Sequence, residues 1–157
     1  MKKIVMFLSV LFLAACSNEA SVTTLTDPSP DQELRSSEAG LSMSLAEDAY
    51  EKSPSLIEVT IKNESQQNYG FGEYYHIEVN KNGKWYILTH SDAVFLNNQQ
   101  FNDSGQLLLA GSEVQQTFFI DQLGITLVPG EYRLVKTFLS QNEPFFEIAI
   151  ASPFTVE

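Results

Sequence analysis

The stretch YHIEVNKNGKWYIL, residues 75–88, decides the fold class of this chain. Its Asn82-Gly83 pair stands between two runs of alternating apolar residues. An Asn-Gly pair in that setting is the strongest short-range signal for a β-hairpin, since both residues accept the positive φ of a tight hairpin turn. The sequence therefore predicts two antiparallel strands that meet at residues 82–83.

The same alternation of apolar and polar residues, at period two, recurs along the chain and predicts further half-buried strands. Its clearest triplets are Leu41, Met43 and Leu45; Ile57, Val59 and Ile61; and Tyr75, Ile77 and Val79. Other strands are predicted over residues 84–88, 113–120, 131–139 and 145–151, with a less regular one near 94–101 and an end piece at 154–156 after a break at Pro153. Residues 46–52 are compatible with a helical turn. About seven or eight short strands indicate an all-β antiparallel sandwich.

The strand after the hairpin turn is apolar on both faces. Trp85 and Ile87 share one phase, and Tyr86 and Leu88 share the other. We expect Trp85 and Ile87 to point into the core, because a large indole supplies packing that a domain without disulfides needs. Tyr86 is then expected to face outward, beside Tyr74.

Residues 1–15 have the organisation of an export signal. Lys2 and Lys3 precede an apolar run of about a dozen residues. That run is too short to span a membrane, which takes about 20 residues. It ends in Leu13-Ala14-Ala15-Cys16, which resembles the lipobox of bacterial lipoproteins. The resemblance implies cleavage before Cys16, acylation of its thiol, and a lipid-anchored protein on the extracytoplasmic face of the cell membrane.

Residues 16–38 are mostly polar and small, with two prolines. This composition predicts a flexible linker between the lipidated cysteine and a domain over residues 39–157. A coil of that length, at about 5–6 Å × √n, holds the domain about 25–30 Å from the lipid.

Four segments, taken in order, resemble the bacterial immunoglobulin-like domain found on small lipoproteins of Gram-positive bacteria. They are IEVTIKNES (57–65), YGFGEYYHIE (69–78), NGKWY (82–86) and PGEYRLVK (129–136). The resemblance covers about residues 40–157 and implies an immunoglobulin-like β-sandwich. Tyr132 then stands where such domains place a corner tyrosine, whose hydroxyl bonds to the upstream backbone. A looser similarity to the intracellular proteinase inhibitor of bacilli leaves peptidase inhibition at the cell envelope as an alternative function.

Composition excludes several classes of function. The net charge of −11 disfavours binding to nucleic acid and to anionic membrane surfaces. The only cysteine is Cys16, so an anchored protein has no disulfide, thiol nucleophile or cysteine metal site. With 43% hydrophobic residues the chain can nevertheless bury a core.

Catalytic and metal-binding motifs are missing from the sequence. Its two histidines, His76 and His90, stand in no hydrolase or metalloprotease motif. Asp92, Asp103 and Asp121 lack the spacing of a calcium loop. We therefore expect no enzymatic activity, no cofactor and no metal.

The aromatic residues around the first glycines are the best candidates for recognition. Tyr69, Phe71 and Tyr74 lie beside Gly70 and Gly72, and tyrosines next to glycines are common in protein-recognition loops. With Tyr86 they form a possible partner-binding set, although core or edge packing around a bulge or bend is the favoured interpretation for Phe71 and Tyr75. The leading hypothesis is a non-enzymatic module that binds another envelope protein. Partner and oligomeric state are left open.

Overall fold

The computed structural model describes residues 21–89 and 105–157. These residues form eleven β-strands and one 3₁₀ turn, Asp121–Leu123. The strands are β1 (Ser37–Glu38), β2 (Leu41–Leu45), β3 (Ala49–Tyr50), β4 (Leu56–Asn63), β5 (Tyr69–Phe71), β6 (His76–Lys81), β7 (Lys84–Ile87), β8 (Gln106–Leu108), β9 (Glu113–Phe119), β10 (Gly130–Ser140) and β11 (Glu147–Val156). The seven that contain four residues or more lie where the alternating pattern predicts strands.

The strands form two sheets. The smaller has the order β1-β2-β4-β9. The larger has the order β3-β11-β10-β5-β8, and β10 also pairs with β6, which pairs with β7. Every pairing is antiparallel except that of the short β3 with β11. The expected all-β antiparallel sandwich is confirmed.

The core consists of the inward side chains of both sheets. β4 contributes Ile57, Val59 and Ile61 to one cluster. β10 contributes Tyr132, Leu134 and Phe138 to the same cluster. Each fully buried aliphatic or aromatic side chain stabilises the fold by about 1.5–3 kcal/mol. The alternation in the sequence thus marks the faces that meet inside the sandwich.

The hairpin turn is confirmed, with φ values of 55° at Asn82 and 80° at Gly83. The expected direction of the next strand's side chains is wrong. Tyr86 lies opposite the buried Val79 and packs against the core, whereas Trp85 lies opposite Asn80 on the outer face. Because both faces of this strand are apolar, the alternating pattern does not indicate which face points inward. Trp85 is covered on the outer face of the sheet and not inside the sandwich.

Strand β11 differs from its predicted form because it continues through Pro153. The amides of Ala151 and Thr155 donate to Arg35 O and Asp48 O, away from β10. Position 153 has the same orientation, so a proline there removes no hydrogen bond between β10 and β11. Residues 46–52 contain β3 rather than a helical turn. The strand predicted near 94–101 lies outside the described residues.

Residues 23–35, which we call the strap, lie against the larger sheet. They run along the outer edge of β7, cross the outer face of the sheet, and reach β11. The backbone hydrogen bonds are Thr89 N to Thr23 O, Leu25 N to Ile87 O, Ser29 N to Trp85 O, and Ala151 N to Arg35 O. The flexible linker predicted for residues 16–38 is therefore wrong for the strap. The strap is polar, but its backbone and side chains make hydrogen bonds to the sheet that cannot be predicted from composition alone.

Candidate functional site

Beneath the strap, the outer face of the larger sheet carries a buried ion pair. Glu78 on β6 lies directly opposite Arg133 on β10. Arg133 Nε and Nη2 lie 2.6 and 2.5 Å from Glu78 Oε2, and the two residues are 3% and 0% exposed. A buried pair of this kind requires further hydrogen bonds to offset the loss of hydration.

The strap and the sheet supply those hydrogen bonds. Ser29 Oγ donates to Glu78 Oε1 at 2.6 Å, and His76 Nε2 lies 3.0 Å from the same oxygen. Arg133 also donates to the carbonyls of Asp31 (2.5 Å) and Gln32 (3.3 Å). Every partner outside the sheet is thus a strap residue.

The charge state of Glu78 follows from these contacts. Burial by itself raises the pKa of a carboxyl, but the hydrogen bonds from His76, Ser29 and Arg133, together with the Arg133 charge, outweigh it. The pKa of Glu78 is held below its ordinary value. The carboxylate is therefore ionised at neutral pH and fully engaged, as expected for a clasp that holds the strap.

Trp85 and Gln32 complete this covered half of the face. The Arg133 guanidinium lies over the Trp85 ring, 4.6 Å from its centroid. Gln32 Nε2 donates to Trp85 O at 3.1 Å, and Trp85 N donates to Gln32 Oε1 at 2.8 Å. This pair of bonds resembles the pairing of an extra strand, so the strap closes the β7 edge.

The other half of the same face is open and apolar. Leu107 on β8, Gly70 on β5 and Leu139 on β10 lie in one row across three neighbouring strands. The two leucines are 54% and 53% exposed, and the Gln141 side chain lies over Gly70 between them. A groove of about 530 Å³ follows, which we call the Gly70 groove. Its other lining residues include Tyr74, Thr137, Gln141 and Glu147.

A buried lysine holds the segment that carries Tyr74. Lys136 is 1% exposed, and its Nζ donates to the carbonyls of Gly72 and Tyr74. The same Nζ lies 5.7 Å and 5.3 Å from the ring centroids of Phe71 and Phe118. These contacts fix the backbone beside the Gly70 groove and leave the Tyr74 side chain 47% exposed.

The structure does not bring the four proposed partner-binding residues together on a surface. Tyr69 and Phe71 are buried at 1% and 5% exposure, and Tyr86 packs against the core. Phe71 and Tyr74 both line the Gly70 groove, and Tyr74 is the most exposed of the four. Leu107 and Leu139 were not predicted from the sequence. One signal was available in the sequence. Leu139 lies on the same outward-facing side of β10 as Arg133 and Thr137.

The other candidate residues are dispersed over the structure or lie outside the described residues. Asp121 begins the 3₁₀ turn, and within residues 21–89 and 105–157 no three His, Cys, Asp or Glu side chains are grouped to hold a metal ion. His90, Asp92, Asp103 and Cys16 lie outside the described residues. In the part of the chain that the structure describes, no helix is long and apolar enough to cross a membrane.

Tyr132 behaves as a corner tyrosine. Its hydroxyl donates to Val128 O at 2.6 Å, which ties β10 to the segment just upstream. This confirms the role that the sequence assigns to it.

Comparison with known families agrees with this geometry. The family model described as a bacterial Ig-like domain matches residues 37–155, which is more than half of the chain. No curated protein matches the chain. The matched region begins at β1, immediately after the strap.

Proposed function

Because this chain belongs to the bacterial Ig-like domain family, we propose that it is a lipid-anchored extracytoplasmic protein whose domain binds another envelope protein and catalyses no reaction. The Gly70 groove supports this proposal, because it is an exposed apolar surface on a sheet whose other half is covered by the strap. Exposed apolar patches beside a polar rim commonly mark protein interaction sites.

The anchor part of the proposal rests on Leu13-Ala14-Ala15-Cys16 at the end of the export signal. Two or more acyl chains bind a membrane far more firmly than one, since each buried methylene contributes about 0.8 kcal/mol. Replacing Cys16→Ala is expected to abolish fatty-acid labelling and release the protein from the membrane. Retention of both label and membrane association in the variant contradicts the anchor.

The binding part rests on the shape and chemistry of the groove. Leu107 and Leu139 form two apolar walls, the Gln141 side chain lies over Gly70 between them, and Tyr74 adds an aromatic ring at the rim. A partner that packs an apolar surface on the two leucines and on Gln141 between them removes both leucines from water. Such a central apolar contact surrounded by polar residues is the arrangement of most interaction hot spots.

Site-specific photocrosslinking in intact cells tests the groove. A photoreactive phenylalanine at Leu107 is expected to crosslink a single envelope protein, and the substitution Leu139→Ser in the same chain is expected to suppress the product. The matched control is the same probe at Phe119, which is exposed on the smaller sheet. Equal products from both positions, or a product insensitive to Leu139→Ser, contradict binding at the groove.

The identity of the crosslinked protein also separates the two functions considered from the sequence. If it is a peptidase whose activity falls when the purified protein is added, the domain is an inhibitor. If its activity is unchanged, the domain is a positioning or scaffolding module.

A further inference from the structure

We propose that the β10–β11 loop, residues 141–146, rests on the surface of the membrane and inserts Phe145 and Phe146 among neutral lipid head groups. This inference rests on the proposed lipid anchor at Cys16. It adds a second point of contact, so that the domain stands with a fixed end toward the bilayer.

The first step is the direction in which the strap leaves the domain. The strap runs antiparallel to β7, with Ser29 bonded beside Trp85 and Thr23 beside Thr89. β7 is antiparallel to β6, and β6 is antiparallel to β10. Followed backward from Ser29 to Thr23, the chain therefore points toward the Ser140 end of β10, where the 141–146 loop begins.

The second step is the length of chain that remains before the anchor. Five Cα–Cα steps separate Ser21, where the described chain begins, from Cys16. Fully extended, they span at most about 17 Å. This is much shorter than the reach of a coil from residue 38, because the strap has taken up the intervening residues.

The reach of this tether is comparable to the distance between Thr23 and the level of the 141–146 loop. Thr89, the partner of Thr23, is aligned through β6 with about Val135 on β10. From Val135 to Ser140 the strand advances about 17 Å, at about 3.3 Å per residue. The seven steps from Thr23 to Cys16 span at most about 24 Å, so an extended chain ends no more than about 7 Å beyond the level of Ser140. An anchored Cys16 therefore brings the bilayer to the level of the loop.

The loop itself has the chemistry of a membrane-resting surface. Phe145 is 71% exposed and Phe146 is 38% exposed, and both adjoin the exposed Leu139. Aromatic and aliphatic side chains at such a surface enter the boundary between head groups and acyl chains. The chain has no Lys or Arg after Lys136, while Glu143 and Glu147 flank the phenylalanines. The loop is therefore suited to neutral lipid rather than to an anionic surface.

A depth measurement on the lipidated protein tests the inference. Because acylation consumes the thiol of Cys16, the substitution Phe145→Cys provides one reactive thiol for a polarity-sensitive fluorophore. The matched control is Phe119→Cys, a phenylalanine 42% exposed on the smaller sheet. In phosphatidylcholine vesicles, the label at 145 is expected to shift to the blue and to be quenched by lipids that carry a quencher near the head group. The label at 119 is expected to do neither.

The outcomes separate the loop contact from the anchor. A protein that carries acyl mass and floats with the vesicles, but whose 145 label remains as water-exposed as the 119 label, overturns the loop contact alone. If the 145 label is shielded only after envelope protein is added, the loop binds a protein partner. This outcome also overturns the contact between the loop and the membrane. A protein without acyl mass that fails to float overturns the anchor, and the loop contact with it. Weaker quenching when anionic lipid is added supports the neutral-surface contact.

Discussion

The two halves of the outer face of the larger sheet differ in what they bury. Under the strap, charged side chains are fully buried: Glu78 and Arg133 lie in a closed set of hydrogen bonds. At the Gly70 groove, Leu107 and Leu139 are more than half exposed. Charges are thus buried and leucines exposed on one sheet, the reverse of the usual preference. The strap explains the first half, because it supplies partners. The second half is the surface that we propose for recognition.

The largest loss of stability is expected when the buried ion pair under the strap is removed. Replacing Glu78→Ala leaves the Arg133 guanidinium buried without its counter-charge, and removing one partner of a buried pair costs about 3–5 kcal/mol. Urea denaturation is expected to show a loss of that size. The matched control is Lys62→Ala, which breaks the exposed pair with Glu113 at 3.5 Å and costs less than about 1 kcal/mol. Equal losses in the two variants show that strap and cluster contribute little.

Acid is expected to weaken the same half in the wild-type protein. The pKa of Glu78 is lower in the folded state than in the unfolded state. Its contribution to stability is therefore complete above the unfolded value of about 4.5 and is lost as pH falls through the folded value. In urea denaturation, the difference in stability between wild type and Glu78→Gln should shrink between pH 6 and pH 3. A difference that stays constant over this range contradicts the assigned ion pair.

A smaller effect is expected from the strap's own contribution. Ser29→Ala removes the hydroxyl that donates to Glu78, while His76 and Arg133 still engage the carboxylate. The expected loss of stability is about 1.5 kcal/mol, the low end for a hydrogen bond to a charged group. Thermal denaturation measures it, with the exposed strap residue substituted in Thr26→Ala as the control. If both substitutions are neutral, Ser29 does not clasp the strap in solution.

The smallest effect on folding is expected at the open half. The double substitution Leu107→Ser with Leu139→Ser alters two exposed side chains and should change the free energy of unfolding by no more than about 0.5 kcal/mol per site. A photocrosslink to the proposed partner from a probe at Tyr74, which also lines the groove, should nevertheless disappear. A large loss of stability instead identifies the groove as a packing surface and removes the case for recognition there.

Local signals in the sequence predict much of the fold. The hairpin at Asn82-Gly83, the alternating strands and the corner role of Tyr132 are local signals, and each is present in the structure. The inward direction of Trp85 was not predictable, because both faces of its strand are apolar and the strap that covers it lies more than 50 residues away in sequence.

The candidate site was predicted less well than the fold. Tyr69 and Phe71 are aromatic residues next to glycines. That pattern occurs both in recognition loops and in buried strands, so the sequence alone does not decide between these two environments. The row of Leu107, Gly70 and Leu139 comes from three strands distant in sequence, so it appears only once the register of β5, β8 and β10 is known.

Hydrogen exchange at the strap amides tests most directly whether residues 23–35 belong to the domain. Leu25 N donates to Ile87 O and Ser29 N donates to Trp85 O, at 2.9 and 2.8 Å. If the strap is part of the fold, both amides should exchange more slowly than unstructured chain by on the order of a hundredfold or more, and Glu78→Ala should remove much of that protection. Exchange of both amides at the rate of unstructured chain in the wild-type protein contradicts the strap, the short tether and the division of the sheet into a covered and an open half.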